Sequence, residues 1–372
     1  MSIGHTTKWF SSDMGGAGGI TNAAGQVISG ILNKCLVTGF GSITVDSIVV
    51  SGGIATITKS GGHGFLDNQV IEIDGATPSA LNDQHRFTRI NANTGTIPVD
   101  GISDQTATGT ITAKTPSLGF SSVYSATNVA VYQGNAINGY KHYLRVDDQS
   151  TASPRVRGYV TMQDINTGTE PYPSDSQMSG GGYFPKTYSA TPYHWVLIGN
   201  DRCFYISVKY SGSGYLVSFF GDIQEHYGYE DPYLSILWST NNTNTGFITY
   251  LNSYSNSACW SPRSYEKTLG SGIRLSALGL GGYSGSAYAP VSYFTYPPVV
   301  PGGGLIASRP VLLVEYKGQI RGIIPGYCCF VANCGTGFNT GDIIDITGFP
   351  DKIMFLQDYN IGAFGVSIEG WA

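Results

Sequence analysis

The densest set of side chains able to do acid–base work is the run FFGDIQEHYGYEDPY, which carries Asp222, Glu225, His226, Glu230 and Asp231. Two carboxylates facing one sugar bond are what a polysaccharide depolymerase needs. On an extended strand Asp222 and His226 share one face, and Glu225 takes the other. The run reads first as a polar loop after an aromatic strand, with Asp231-Pro232 in a turn. A carbohydrate or receptor contact comes second and catalysis third. Asp147-Asp148 is a candidate for Ca²⁺, but that cation takes about six to eight oxygens, more than Asp147, Asp148 and Gln149 supply.

The thiols give little more. Cys328, Cys329 and Cys334 form a cluster, with Cys35, Cys203 and Cys259 apart. Structural zinc wants paired short spacings, and no CxxC or neighbouring histidine provides them. Buried free thiols are expected, since a disulfide framework suits a smaller domain in an oxidising compartment. Ser213, Ser271 and Ser284 lie in plain Gly-Ser turns, and no GxSxG presents a nucleophile. Phosphate-loop, dinucleotide, zincin and EF-hand patterns are also missing from the sequence. His63 and His85 read as turn or core hydrogen-bonders. His194-Trp195 and Cys259-Trp260 read as buried aromatic anchors, with an interface role for Trp260 as the sharper alternative. No catalytic, metal-binding or cofactor-binding residue emerges, and a non-enzymatic chain without cofactor is expected.

The elements that position these residues are mostly strands. AAGQVISGILNKCLVTGF spaces Val27, Ile28, Ile31, Leu32 and Leu36 for one short amphipathic helix over about 23–37, stopped before Gly39. From 43 to 114, alternating β-branched runs surround a Ser51-Gly52-Gly53 turn and continue through QVIEIDGAT, HRFTRINANTG and TATGTITAK. Further strands follow in KHYLRVDD, RVRGYVTM, YHWVLIG, CFYISVKY, YLVSFFGDI, SILWST and GFITYLNSY. YPPVVPGGGLIASRP is a connector to a last set of strands that begins at RPVLLVEY. The expected architecture is mainly β: a larger sandwich-like domain with a small all-β module inserted and one short N-terminal helix. The boundaries expected are 1–42 plus 115–300 for the main domain, 43–114 for the insertion, and 301–372 for a C-terminal β subdomain packed on the main one.

Of 372 residues only 12% are charged, against about a quarter in ordinary domains. The chain has 51 Gly, 25 Tyr, 16 Phe and 5 Trp. So many large rings exclude a disordered chain, and so many glycines disfavour a helical bundle. A formal net charge of -5 leaves no basic footprint for nucleic acid. No apolar run is long enough for a membrane span, and the first residues lack a signal-peptide pattern, so synthesis in a bacterial cytoplasm is expected. Interface cores are charge-depleted and rich in Tyr, Trp and Phe, which makes burial against other subunits the simplest account of so few charges.

Two stretches carry a resemblance. The "V…GGxATxT" hairpin, the His63-Gly64-Phe65 turn and the "G(A)TPxxLN" loop from Ala76 to Asn82 resemble small β modules that recur in tailed-bacteriophage tail and fibre proteins. IGHTTKWFSSDMGGA, YLRVDD, FFGDI and IRGIIPGY look like an uncharacterised family of phage virion structural proteins. The resemblance implies a virion subunit of the tail, tail tip or baseplate, with a head-surface decoration or minor capsid protein as one alternative. Its expected partners are other virion proteins and copies of itself, as a trimer or hexamer, with no nucleic acid and no membrane insertion. A receptor- or glycan-binding protein is the other alternative, with Tyr183, Tyr188, Tyr193, Tyr227, Tyr229, Tyr233 and Trp260 as possible contacts. Purified protein spotted on a host lawn is expected to leave no clear zone; a zone abolished by Asp222→Ala would make the chain an enzyme.

Overall fold

A computed structural model describes residues 7–212, 214–225, 233–240, 258–264, 272–278, 307–308, 312–315, 319–330, 338–346, 351–358 and 362–371. The chain is mainly β, built from several antiparallel sheets with one helix longer than a single turn among the described residues. The longest sheet has ten strands in the order Lys8–Ser11, Trp195–Gly199, Cys203–Ser211, Gly214–Asp222, Ser235–Trp238, Cys259–Ser261, Ile273–Leu278, Leu312–Val314, Ile320–Ile323 and Gln224–Glu225. Residues from both ends of the sequence therefore sit in one sheet.

Two further sheets cover the faces of this one. On Cys203–Ser211, side chains alternate. Phe204 meets Phe120 at 5.7 Å and Phe184 at 6.2 Å between ring centroids. Its neighbour Tyr205 points the other way, to Trp371 at 5.7 Å and Phe364 at 6.5 Å. Phe120 and Phe184 belong with the five-stranded meander Ser121–Ala126, Val129–Gln133, Tyr143–Asp147, Arg155–Tyr159 and Gly182–Tyr183. Phe364 and Trp371 belong with the five-stranded sheet Ala307–Ser308, Tyr327–Phe330, Gly362–Ser367, Ile353–Asp358 and Ile343–Ile344. The arrangement is sandwich-like with three layers. It explains why CFYISV and VSFFGD run on without polar alternation: a strand covered on both faces has no wet side.

The helix occupies Ile28–Thr38 and is wound in the wide π form, with the Gly39 amide donating to Lys34 O at 2.9 Å. Ile28, Ile31, Leu32, Cys35 and Leu36 are buried in the main core. Gly39 ends it at a φ of 69, in the left-handed region. Its N-terminus is fixed by a buried ion pair. Asp148 Oδ2 accepts the Val27 amide at 2.8 Å, while Oδ1 faces Lys186 Nζ at 2.7 Å, both side chains being fully buried. Burial pushes the Asp148 carboxyl up, against Lys186 and the Val27 and Ile28 amides that favour its charge. Lys186 also donates to Ser150 O at 2.9 Å.

Residues between Phe40 and Thr115 form two small sheets around a separate apolar cluster that includes Ile48, Val50, Ile57, Phe65, Ile73, Phe87 and Ile97. Their first and last strands, Phe40–Thr44 and Thr112–Thr115, pair with each other, so chain entry and exit lie side by side. Ser47–Ser51 and Ile54–Thr58 pair across Gly52 and Gly53, at φ values of 58 and 77. His63 knits the adjoining loop, accepting the Phe65 amide at 3.0 Å and bonding Asn91 O at 2.9 Å. This unit is clamped to the rest at Asn68, whose φ is 62. Asn68 O accepts from Trp9 Nε1 at 3.0 Å and Arg86 at 2.8 Å, and Lys352 Nζ donates to Asn68 Oδ1 at 2.7 Å. Arg86 also reaches Thr7 O at 3.1 Å and Ile368 O at 3.2 Å.

Removing one member of a buried ion pair leaves an uncompensated charge, which costs about 3–5 kcal/mol. Lys186→Met is expected to destabilise the chain by that amount in chemical denaturation. Adding Asp148→Asn to it should recover much of the loss.

Candidate functional site

The strand Gly214–Asp222 delivers its last residue to the edge of a cleft of about 430 Å³. Gly221, with a φ of 126, lies opposite Cys203, and a Cβ there would collide with Arg202 O. Only glycine lets the two chains come so close, and the approach sets Asp222 beside the turn Asn200-Asp201-Arg202. That turn is shaped by Asn200 Oδ1, which accepts the amides of Arg202 at 2.9 Å and Cys203 at 3.2 Å. Asn138, Tyr140, Asn200, Arg202, Asp222 and Gln224 supply most of the polar lining, and Ile223 and Pro325 part of the apolar. Ile137, next to the cleft, is 89% exposed.

Asp222 is only 8% exposed, and its Oδ2 accepts the Tyr140 amide at 3.0 Å. Burial pushes its carboxyl up to about 7. The Tyr140 amide and the Arg202 charge pull it down, and Asp201 adds to the rise. Behind the cleft, Ser235 stands opposite Asp222 in register. The Tyr172 hydroxyl donates to Ser235 Oγ at 3.4 Å and lies 3.3 Å from His142 Nδ1. Burial raises the Tyr172 phenol as well, with Asp222 a lesser contributor.

Arg202 differs from Arg157 and Arg145 in having no carboxylate partner. Its guanidinium makes no hydrogen bond or ion pair among the described residues, and Nε is closed off from solvent without an acceptor. By contrast Arg157 is held by Asp175 at 2.6 Å, and Arg145 lies 3.4 Å from Asp147.

The sequence-derived candidates fall in different places. Tyr183, 9% exposed, lies under the Arg155 guanidinium at 3.9 Å, and Trp260, 2% exposed, is enclosed in the core with Arg274 4.7 Å from its ring. Both rings are thus covered by protein groups. Tyr193 is half-buried, and Tyr233 is half-buried beneath Arg263 at 4.2 Å. Tyr188 is 41% exposed and packs edge-on against Tyr210. Tyr227 and Tyr229 lie outside the described residues, as do His226, Glu230, Asp231, Ser213, Ser271, Ser284, Cys334 and the side chains of Cys328 and Cys329. Cys35 and Cys203 are buried free thiols, Cys259 is buried as well, and burial pushes all three up. Asp148 is committed to Lys186 and Asp147 to Arg145, so this pair builds no cation site. Of the carboxylates singled out whose side chains are described, Asp222 alone lines the cleft. Its partners Arg202, Asn200, Asn138 and Tyr140 were not foreseen, because each lies in a short polar turn or loop that looks like ordinary turn chemistry.

A second surface is defined by what it lacks. In the sheet Thr88–Arg89, Thr94–Pro98, Ile54–Thr58, Ser47–Ser51 and Gln105–Thr106, the side opposite the core presents one row Thr106, Val49, Thr56, Thr96 and Thr88. Flanking rows are Ser51, Ile54 and Pro98, then Ser47, Thr58 and Thr94. No charge stands in these rows; Arg89 alternates to the other side, in register with Gly95. Charges keep to the turns, with Lys59 and Asp46 paired at 3.2 Å and Asp104 bonded to the Gly52 amide at 2.8 Å. Val49 and Ile54 are among the few large apolar side chains left exposed.

No protein-family model matches the chain, and no curated protein sequence matches it either. Among the described residues no helix is long and apolar enough to cross a membrane.

Because the folded Asp222 holds its proton up to about 7, above the ordinary 3.8, the native chain stays protonated where the unfolded chain has ionised. Stability contributed by this group is therefore present at acid pH and lost as pH rises from the ordinary carboxylate value to about 7. Thermal midpoints measured across that window should fall for the native sequence relative to Asp222→Asn. Parallel curves for the two would show that the carboxyl is not displaced.

Proposed function

We propose that the chain is a structural subunit of a tailed-phage virion, of the tail, tail tip or baseplate, acting by packing against further copies of itself and neighbouring virion proteins. The observation that carries this reading is the uncharged threonine-, valine- and isoleucine-bearing face of the sheet that contains Ser47–Ser51 and Ile54–Thr58. A solvated sheet face is normally dotted with Lys and Glu, which keep sheets apart. Here polar hydroxyls and methyl groups alternate across five strands with nothing that must be stripped of a tightly held hydration shell on docking.

The occupant proposed for this face is another copy of the chain. Three strands of five residues and two of two residues cover on the order of 300 Å². A stable pairwise complex buries about 800 Å² per partner. The face is thus less than half of what a dimer needs, and suits a contact repeated around a ring, where simultaneous engagement raises avidity. The sheet's edges are the two-residue strands Thr88–Arg89 and Gln105–Thr106, which offer little backbone for edge pairing. The resemblance of residues 43–114 to phage tail modules and the charge-poor composition point the same way.

Thr56→Lys combined with Thr96→Glu sets a complementary cross-strand pair in the middle of the face, preserving the sheet while charging its surface. Sedimentation velocity of the full chain should show a closed oligomer for the native sequence and a monomer for the double variant, with equal thermal midpoints. A native chain that stays monomeric at all concentrations, or a variant that assembles equally well, would overturn the reading.

A further inference from the structure

The cleft at Asp222 stands apart from the uncharged face, and its chemistry asks for a ligand. Two of its side chains hold unused hydrogen-bonding capacity. The Arg202 guanidinium has no acceptor among the described residues, and Asp222 binds the Tyr140 amide through Oδ2 only, leaving Oδ1 without a bond. The two attract one another electrostatically but do not form an ion pair. A guanidinium carries five N–H donors and no acceptor, whereas a carboxyl accepts and, while it holds its proton, also donates. Arg202 Nε is closed off without an acceptor, while the rest of the guanidinium and Asp222 Oδ1 face the open cleft unbonded, so the space between them suits an occupant that both accepts and donates.

The charge balance narrows the class. Asp222 feels both Arg202 and Asp201, and Asp201 in turn faces Lys8, so opposite charges are balanced at this spot and a ligand of net charge is disfavoured. A metal ion is disfavoured too, since no group of three or more His, Cys, Asp or Glu is gathered for one among the described residues. What remains is a neutral molecule whose neighbouring oxygens can accept from Arg202 and donate to Asp222, which describes vicinal hydroxyls. The Asn138 amide adds a donor and an acceptor of the same neutral kind, and the half-buried Tyr140 lies alongside. A volume of about 430 Å³ is in the range of small-molecule sites and is open enough for the end of a chain.

We infer that the cleft between Arg202 and Asp222 is a binding site for a neutral sugar ring, the ring's vicinal hydroxyls bridging the guanidinium and the carboxyl. In such a complex one sugar hydroxyl bonds Asp222 Oδ1, donating to it when the carboxyl is ionised and accepting from it when it holds its proton, and the next oxygen accepts from Arg202. Binding here does not depend on the assembly face, and the two can fail separately.

Saturation-transfer NMR on the full chain, with D-glucose, D-galactose, D-mannose and N-acetyl-D-glucosamine offered singly and N-acetylneuraminic acid as the anionic comparison, tests the site. At least one neutral sugar should receive magnetisation at its ring protons. Arg202→Gln should weaken that sugar by about tenfold or more, the loss expected for a hydrogen bond to a charged donor. Asp222→Asn, which keeps the shape, should weaken it less. Circular dichroism would check that each variant folds. Transfer to none of the neutral sugars, preference for the acidic sugar, or undiminished binding by a folded Arg202→Gln variant would overturn the inference.

Discussion

Burial of the strands Cys203–Ser211 and Gly214–Asp222 on both faces is the constraint on which the molecule rests. Phe204 and Phe220 serve one side, at 6.2 Å from each other, and Tyr205 and Phe219 serve the other at 4.7 Å. Each aromatic side chain removes a large apolar area from water, and a strand with no wet side requires a cover on each face. The meander that follows the helix and the sheet that closes the chain provide those covers. Hence the rest of the fold is arranged around this hairpin, and residues as distant as Lys8 and Ile323 complete the same sheet.

The same constraint makes the cleft. A strand buried on both sides must still surface at its end, and Asp222 sits where the sheet gives out. Its carboxyl is left partly out of water by the strand that carries it, not by any arrangement of acidic neighbours. The Gly221 approach then brings the Asn200-Asp201-Arg202 turn alongside. Position in the sheet, more than residue type, gives this carboxyl its displaced titration.

Local signals in the sequence account for the elements. Ser51-Gly52-Gly53 marks a hairpin because two successive left-handed residues suit its tight turn, and that is where the chain turns. The spacing of Ile28, Ile31, Leu32 and Leu36 marks the helix, although the wide winding has no such signal and the start lies later than about residue 23. Sheet order was not legible. Pairing of Lys8–Ser11 with Trp195–Gly199 joins residues far apart along the chain, and antiparallel alternation looks alike whichever neighbour is chosen. The uninterrupted run CFYISV held a clue to its double cover, since a half-exposed strand would alternate. For the site, Asp222 stood out as a carboxylate next to aromatic residues, but Arg202 and Asn200 are indistinguishable from the polar residues of any hairpin turn until the fold brings them together.

The Asn68 junction has a mechanical consequence. A small unit entered and left through adjacent strands would ordinarily swivel on its two connections. Here Arg86 reaches Thr7 near one terminus and Ile368 near the other, while Trp9 and Lys352 grip the same asparagine. Tension applied to the small unit is consequently shared between the opening and closing strands of the chain instead of being borne by a hinge. The unit behaves as a stiff lever whose orientation is set by the body that carries it.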